Sequence, residues 1–280
     1  MNQPGKIRKL LKRIVLGILA FILLAVGVIY FWGELILKTK YSAETRSVLQ
    51  ASRPEAVERG KRLSQVFGCY KGCHGADMEG KLFFEKFGVA KLIAPNLTTA
   101  VEKFTRSELE AIIRQGIRPD GTSVIAMPSA SFSGMTDRDY SAIVAFIEQY
   151  PRQDQEWGTS SFGLLARFGL VNGEFTPEAA NERIAPIESQ ELQDPLNLGE
   201  YIAMNACSEC HGLDLEGIGS FTPSLVIAKG YSLEDFKILM TTGKGVGDRD
   251  LGLMSEVAVG RFNQMTDEEV ESLHQFLQSR

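Results

Sequence analysis

Two cysteine pairs account for all four cysteines of the 280-residue chain, Cys69 with Cys73 and Cys207 with Cys210, and each pair runs directly into a histidine, His74 or His211. The second pair has the spacing C-x-x-C-H. Two thiols on one turn can add to the two vinyl groups of a haem, and the adjacent imidazole then lies beneath the iron as its proximal ligand. A disulfide is the competing reading, which an exported location would permit. The immediate histidine, the glycine after it and the repetition of the whole pattern favour haem. In the first pair three residues separate the cysteines. That loop must bulge, and Gly72 is the residue best suited to absorb the extra length through a positive φ. The expectation is therefore two haem c groups, with His74 and His211 on the irons. Cys73, Cys207 and Cys210 are the thioether positions, and Cys69 is the fourth, the one affected by the widened loop.

Counting bounds the sixth ligands. Two bis-histidine haems need four histidines, and the chain has His74, His211 and His274. His274 falls in the last helical segment, where the first cysteine-bearing copy has Val144, which suits a packing or surface residue. Methionine is the natural substitute, and histidine/methionine ligation raises the potential of a c-type haem. Met127 sits in a loop between two helical segments, kept extended by Pro128, and is the first candidate. Met254 occupies the corresponding loop of the second copy, without a following proline. Met78 is too near His74 to reach the opposite face, Met135 and Met265 open aligned helices, and Met204 and Met240 read as packing residues.

The elements that must hold these residues repeat. Cys69-Tyr-Lys-Gly-Cys-His-Gly-Ala-Asp-Met-Glu-Gly and Cys207-Ser-Glu-Cys-His-Gly-Leu-Asp-Leu-Glu-Gly share C-H-G-x-D-x-E-G. An extended, proline-containing stretch follows in each, at Ala94–Leu97 and Thr222–Leu225. Capping pairs then open short helices, Thr105 with Glu108 and Ser232 with Asp235, which stop at Gly116 and Gly243. Thr136 with Asp139 and Thr266 with Glu269 open a closing helix in each copy. Its buried stripe is Ile143, Phe146 and Ile147, or Leu273, Phe276 and Leu277. No alternating pattern is sustained, so the fold class is all-α: an N-terminal transmembrane helix, then two haem-centred domains joined by a packed linker. The boundaries are 1–40 for the basic tail and anchor, 54–151, a linker at 152–194 that packs on the domains, and 195–280. The linker has a polar start, an apolar patch from Phe162 to Val171 and an acidic stretch through Pro186.

Lys6, Arg8, Lys9, Lys12 and Arg13 precede an unbroken apolar run from Ile14 to Trp32, about the ~20 residues that cross a bilayer as a helix. Basic residues before the run keep the N-terminus inside and send the rest outward, with Tyr30, Phe31 and Trp32 at the outer interface. The run outlasts the usual apolar region of a cleaved signal peptide. Residues 1–40 carry a net charge of +6, leaving −11 on the rest of a chain whose total is −5. An acidic exported globule excludes nucleic acid as a partner and favours basic partner surfaces.

With these residues in view, the chain resembles the class I cytochrome c family, in particular the membrane-bound multi-haem cytochromes associated with periplasmic dehydrogenases and respiratory chains. The resemblance rests on the C-x-x-C-H-G turn, Ala94-Pro95-Asn96-Leu97, Met127-Pro128 and the closing helix with Ile143-Val144-Ala145-Phe146. It implies that the carbonyls of Pro95 and Pro223 steady the two histidines, and that Gly60 packs on Phe146 and Gly199 on Phe276. It implies electron relay on the periplasmic face of a bacterial cytoplasmic membrane, anchored in lipid by one span. The donor would be a dehydrogenase or a quinol-oxidising protein and the acceptor an oxidase or soluble cytochrome. The alternative is a dihaem oxidoreductase, peroxidase-like or acting on sulfur compounds, with one catalytic haem. No nucleotide-binding glycine motif, hydrolase triad or zinc-protease motif is evident.

Overall fold

The computed structural model describes residues 4–44, 46, 53–185 and 189–280, with side chains of the first helix described from residue 7. Pro186 and the Lys6 side chain lie outside that set. Helix α1 (Pro4–Leu37) is a single apolar helix, long enough to cross a membrane.

Each copy is framed by a first and a last helix that cross closely. In the first copy these are α2 (Pro54–Val66) and α6 (Asp137–Gln149). Between them lie α3 (Leu97–Lys103), α4 (Arg106–Gln115) and the short α5 (Ser129–Phe132). In the second copy α8 (Pro195–Ile202) crosses α12 (Asp267–Ser279), with α9 (Ser208–His211), α10 (Leu233–Thr242) and α11 (Leu253–Gly260) between them. Glycine permits both crossings. A Cβ on Gly60 would run into the carbonyl of Ala142, one turn before Phe146, so the contact falls on the backbone of α6 and not on the aromatic ring. A Cβ on Gly199 would meet the Ser272 carbonyl and lie 2.6 Å from the Phe276 Cβ. Gly199→Ala is accordingly expected to destabilise the second copy by at least about 1–3 kcal/mol, since backbone cannot yield as a side chain does; urea unfolding followed by haem absorbance measures it.

The capping residues do what their spacing requires. Thr105 and Thr266 form complete capping boxes with Glu108 and Glu269, and Ser232 and Thr136 accept from the backbone N–H of Asp235 and Asp139. Gly116 and Gly243 end α4 and α10 at φ of 70° and 74°, in the left-handed region where glycine has no Cβ to clash.

Short strands interrupt the helical pattern. In the first copy β1 (Lys81–Lys86) and β2 (Ala90–Ala94) form an antiparallel hairpin, and β3 (Ser161–Phe162) of the connecting segment adds to its edge. The second copy replaces that hairpin by a tight turn closed between Ile218 and Thr222, and carries a minimal ribbon of β4 (Lys244–Gly245) and β5 (Arg249–Asp250) elsewhere. Elements remain predominantly helical.

The connecting segment packs on the first copy, as expected, but also on the membrane helix. Glu178 accepts from the Ala130 N–H, and Ala179 N–H donates to Ser123 Oγ. Helix α7 (Leu164–Asn172) lies along α1. The two copies share one interface. Tyr201 packs edge-on to Phe67 and donates its hydroxyl to Asp139 at 2.9 Å; Asp139 also takes a two-pronged bond from Arg59. Arg62 makes the same kind of pair with Glu269, at 2.6 and 2.8 Å.

Candidate haem sites

Both histidines are buried and both are held from behind. The Nδ1–H of His74 donates to the Pro95 carbonyl at 2.8 Å, and that of His211 donates to the Pro223 carbonyl at the same distance. A carbonyl only accepts, so each Nδ1 must carry the proton and each Nε2 keeps its lone pair, the tautomer a metal ligand needs. Burial pushes the His74 pKa down, and the bond to Pro95 partly offsets that. Around each ring the backbone repeats nearly atom for atom. Gly80 N–H donates to the His74 carbonyl and Gly217 N–H to that of His211, both at 2.8 Å. Met78 and Leu215 hold matching positive φ values of 59° and 60°, and their carbonyls accept from Leu97 and Leu225. Two non-glycine residues in this costly region at the same place in each copy mark a conformation that the site imposes.

The cysteine turns differ. In the second copy α8 passes through a π-helical turn, Ala203–Cys207, straight into α9, so Cys207, Cys210 and His211 lie on one winding stretch. In the first copy the helix stops at Val66, and the extra residue is taken up by positive φ at Gly68 (82°) and Lys71 (54°). The positive φ expected at Gly72 is thus found one residue earlier. Gly72 is needed for another reason: a Cβ there would strike the Gly68 carbonyl and lie 2.9 Å from its carbonyl carbon.

Beside His74 opens a cavity of about 1320 Å³. Cys73, His74, Met127 and Pro128 line it, and the same four residues line the apolar recess that continues inward among Leu97, Leu109 and Ile143. The structure therefore brings Met127 to the same chamber as the first Cys-His turn. Arg118 is among the residues that line the cavity. Met254 is half-buried against the core and lies in the first turn of α11, not in a loop. Its place in the fold nonetheless matches: Met127 and Met254 each follow the terminating glycine, Gly116 or Gly243, by eleven residues. His274 spends Nε2 on the Tyr231 carbonyl at 2.9 Å and packs beside Phe236.

The donor set fits a porphyrin attached through thiols. Burial pushes the thiols of Cys69 and Cys207 up to about 12 and Cys210 up to about 11, and it raises Cys73 as well. A dithiol built for exchange has its thiolate stabilised instead. Among the described residues no three His, Cys, Asp or Glu side chains converge as a metal cage, so a zinc site has no donor set.

One further residue serves both turns. Arg261 is buried, donates from Nε and Nη2 to the Val66 carbonyl at 3.1 and 3.0 Å, and from Nη1 pairs with Glu209. Val66 ends the helix that leads into Cys69, and Glu209 lies between Cys207 and Cys210. Glu209 also borders the recess beside His74. The two Cys-His turns are thus neighbours across the interface, with one guanidinium between them. Sequence reading missed this residue; the only signal was a lone charge in the run Val257-Ala-Val-Gly-Arg-Phe262.

The cytochrome c family model matches residues 57–151 and 196–280. Among curated proteins, the chain is similar to the cytochrome c subunit of alcohol dehydrogenase (quinone) from Gluconacetobacter polyoxogenes, 26% identical over 87% of this chain and 61% of that protein. The corresponding subunit from Gluconobacter oxydans strain 621H is 26% identical over 71% of this chain and 45% of its own length. The chain thus spans about three fifths or less of these relatives.

Proposed function

Because the chain belongs to the cytochrome c family, we propose that it is a membrane-anchored electron-transfer subunit with two covalently bound haems. It would serve a dehydrogenase, as its relatives, cytochrome c subunits of alcohol dehydrogenase (quinone), suggest. The observation that carries this reading is the pairing of two Cys-His turns across one interface, with the Arg261–Glu209 pair between them. Cys69, Cys73, Cys207 and Cys210 would fasten the haems; His74 and Met127 would ligate the first iron, and His211 and Met254 the second. A haem held in this way supplies one-electron transfer at a raised potential. The chain's own residues do the rest. Pro95 and Pro223 hold the imidazoles in one tautomer and one orientation, and the recess around Leu109 and Ile143 excludes water.

The two haem-binding units would span 54–151 and 195–280, with 152–194 as the connection and 1–40 as tail and anchor. Helix α1 would cross the bacterial cytoplasmic membrane with its basic end inside, so both haems face the periplasm. The charge of −11 beyond residue 40 supports a basic docking surface on the acceptor, an oxidase or soluble carrier, and a transfer rate that falls as salt rises.

Carbon monoxide tests the relay reading against the catalytic one. With both sixth positions filled, the native reduced protein is expected to leave its spectrum unchanged under the gas and to bind it only after unfolding. Prompt binding at one haem at neutral pH would instead make the chain a dihaem oxidoreductase with an open iron.

A further inference from the structure

Helix α7 buries Ala166 and Leu170 together with its charge, yet turns apolar side chains outward as well, unlike a helix washed by water. Its inward face carries its one charge: Arg167 donates to the Phe162 carbonyl, pairs with Glu34 of α1 at 2.6 Å and lies 4.2 Å over the Tyr30 ring. Gly33 allows the approach, since a Cβ there would fall 2.5 Å from the Arg167 Cβ. The outward face is apolar, with Leu165 58% and Phe168 42% exposed, and no charged residue from Phe162 to Gly173 other than Arg167. Beside it the β1–β2 turn is fastened by the bond from Leu165 N–H to the Gly88 carbonyl at 2.9 Å, and presents Phe87 fully exposed.

The location of this patch says what covers it. The residues of α1 that are partly or fully covered are Ala25, Ile29, Gly33, Glu34, Ile36 and Leu37; Ala25, Ile29, Gly33 and the Ile36–Leu37 pair recur at three- and four-residue spacing and so share one face, with Glu34 at its edge, and α7 is the main element packed on α1. From Ala25 to Leu37 is about 18 Å of helix. If Trp32 marks the outer interface, the covered stretch reaches well into the outer half of a hydrocarbon core about 30 Å thick. An apolar face continuous with the side of a membrane span, with its only charge turned inward onto that span, is matched by lipid.

We propose that α7 and the Phe87 turn form a lipid-facing collar, seated in the outer leaflet with Leu165, Phe168 and Phe87 against acyl chains. The collar fixes the height and tilt of the first haem-binding unit, adding to the bonds that Lys40 and Tyr41 make with residues 120–122. The inference rests on the reading of α1 as a membrane span, and its test separates the two.

Nitroxide labels on the full-length, haem-loaded protein in nanodiscs of phosphatidylethanolamine and phosphatidylglycerol provide that test. Labels at Leu165→Cys and Phe168→Cys would be compared with Leu23→Cys on α1 and Glu234→Cys on the second copy. The haems are kept oxidised, since a reductant would also reduce the nitroxide and be consumed by the oxygen; each accessibility is read as the change on adding one reagent to the same sample, and unsubstituted protein carried through the same labelling serves as the blank. The collar predicts that both α7 labels are reached by oxygen more readily than by a water-soluble nickel chelate, as at position 23 and opposite to position 234. Preference for the chelate at 165 and 168, with oxygen preferred at 23, overturns the collar and leaves the span intact. Chelate preference at 23 as well overturns both. Poor access to either reagent at 165 and 168 means protein covers the face and likewise overturns the proposal. Two label sites guard against one substitution disturbing α7, and the haem absorbance reports whether each variant is folded.

Discussion

Arg261→Met is expected to lower the unfolding free energy of the haem-loaded chain by about 3–5 kcal/mol, the usual cost of removing one partner from a buried ion pair. Its side chain is 8% exposed and that of Glu209 11%, so screening by water does little to soften the loss. Two effects combine. The Val66 carbonyl loses both donors that reach it from the guanidinium. Glu209 is left as a buried carboxylate without its counter-charge, beside two thiol positions and the recess of the other copy. Most of the penalty belongs to the stranded charge, so adding Glu209→Gln to Arg261→Met should restore a large part of the stability. Urea titrations of the single and double variants, followed by both helix signal and haem absorbance, give the coupling. A double variant no more stable than Arg261→Met would assign the loss to the Val66 bonds instead. Because the residue stands between the two attachment turns, the same variants should also move both haem potentials, and a redox titration reads this separately from folding.

Substituting the thiols of the second turn should have the largest effect on composition. The Cys207→Ala/Cys210→Ala variant is expected to retain half the haem per polypeptide, with an intact mass lower by about one haem beyond the two sulfurs. Its second copy should lose much of its helix signal, since a unit of this size usually needs a staple or cofactor to complete its core. In the first turn the consequences divide. Cys73 adjoins His74 as Cys210 adjoins His211, whereas Cys69 sits between the positive-φ residues Gly68 and Lys71, at the far end of the widened loop from His74. Cys73→Ala should therefore cost the first haem, and Cys69→Ala should leave it attached by one thioether. Pyridine haemochrome spectra distinguish one thioether from two. Equal loss in both variants would show that the wide loop presents both sulfurs alike.

Much of this was legible because it is local. A threonine three residues before an acid, a glycine where a helix must turn left-handed, and a proline ahead of the next helix each act within one turn of chain. All four caps and both glycine stops stand in the structure where such rules put them, whereas the two proline–histidine bonds, which cross 21 and 12 residues, were implied only by the family resemblance. What escaped is non-local or lacks a period. The hairpin at 81–94 shows no clean alternation because β1 is exposed on both faces. The join between Arg261 and Val66 spans 195 residues. The apolar run 162–171 reads as packing, as its composition suggests, but only the fold reveals that it lies beside the anchor and not between the copies. At Met254 the spacing from Gly243 was informative, while the helix that starts at Leu253 was not, since no capping side chain announces it.

The bonds that cross between the copies also bear on what the duplication has become. Asp139 of the first half takes the Tyr201 hydroxyl of the second, Glu269 of the second takes Arg62 of the first, and Arg261 closes on a carbonyl that belongs to the opposite half. Severing the gene at the midpoint would yield fragments whose former seam is studded with unmatched ions and bare backbone, prone to precipitate or to find each other again. What began as a repeated cassette has in this way become two halves that complete each other's buried charges and carbonyls.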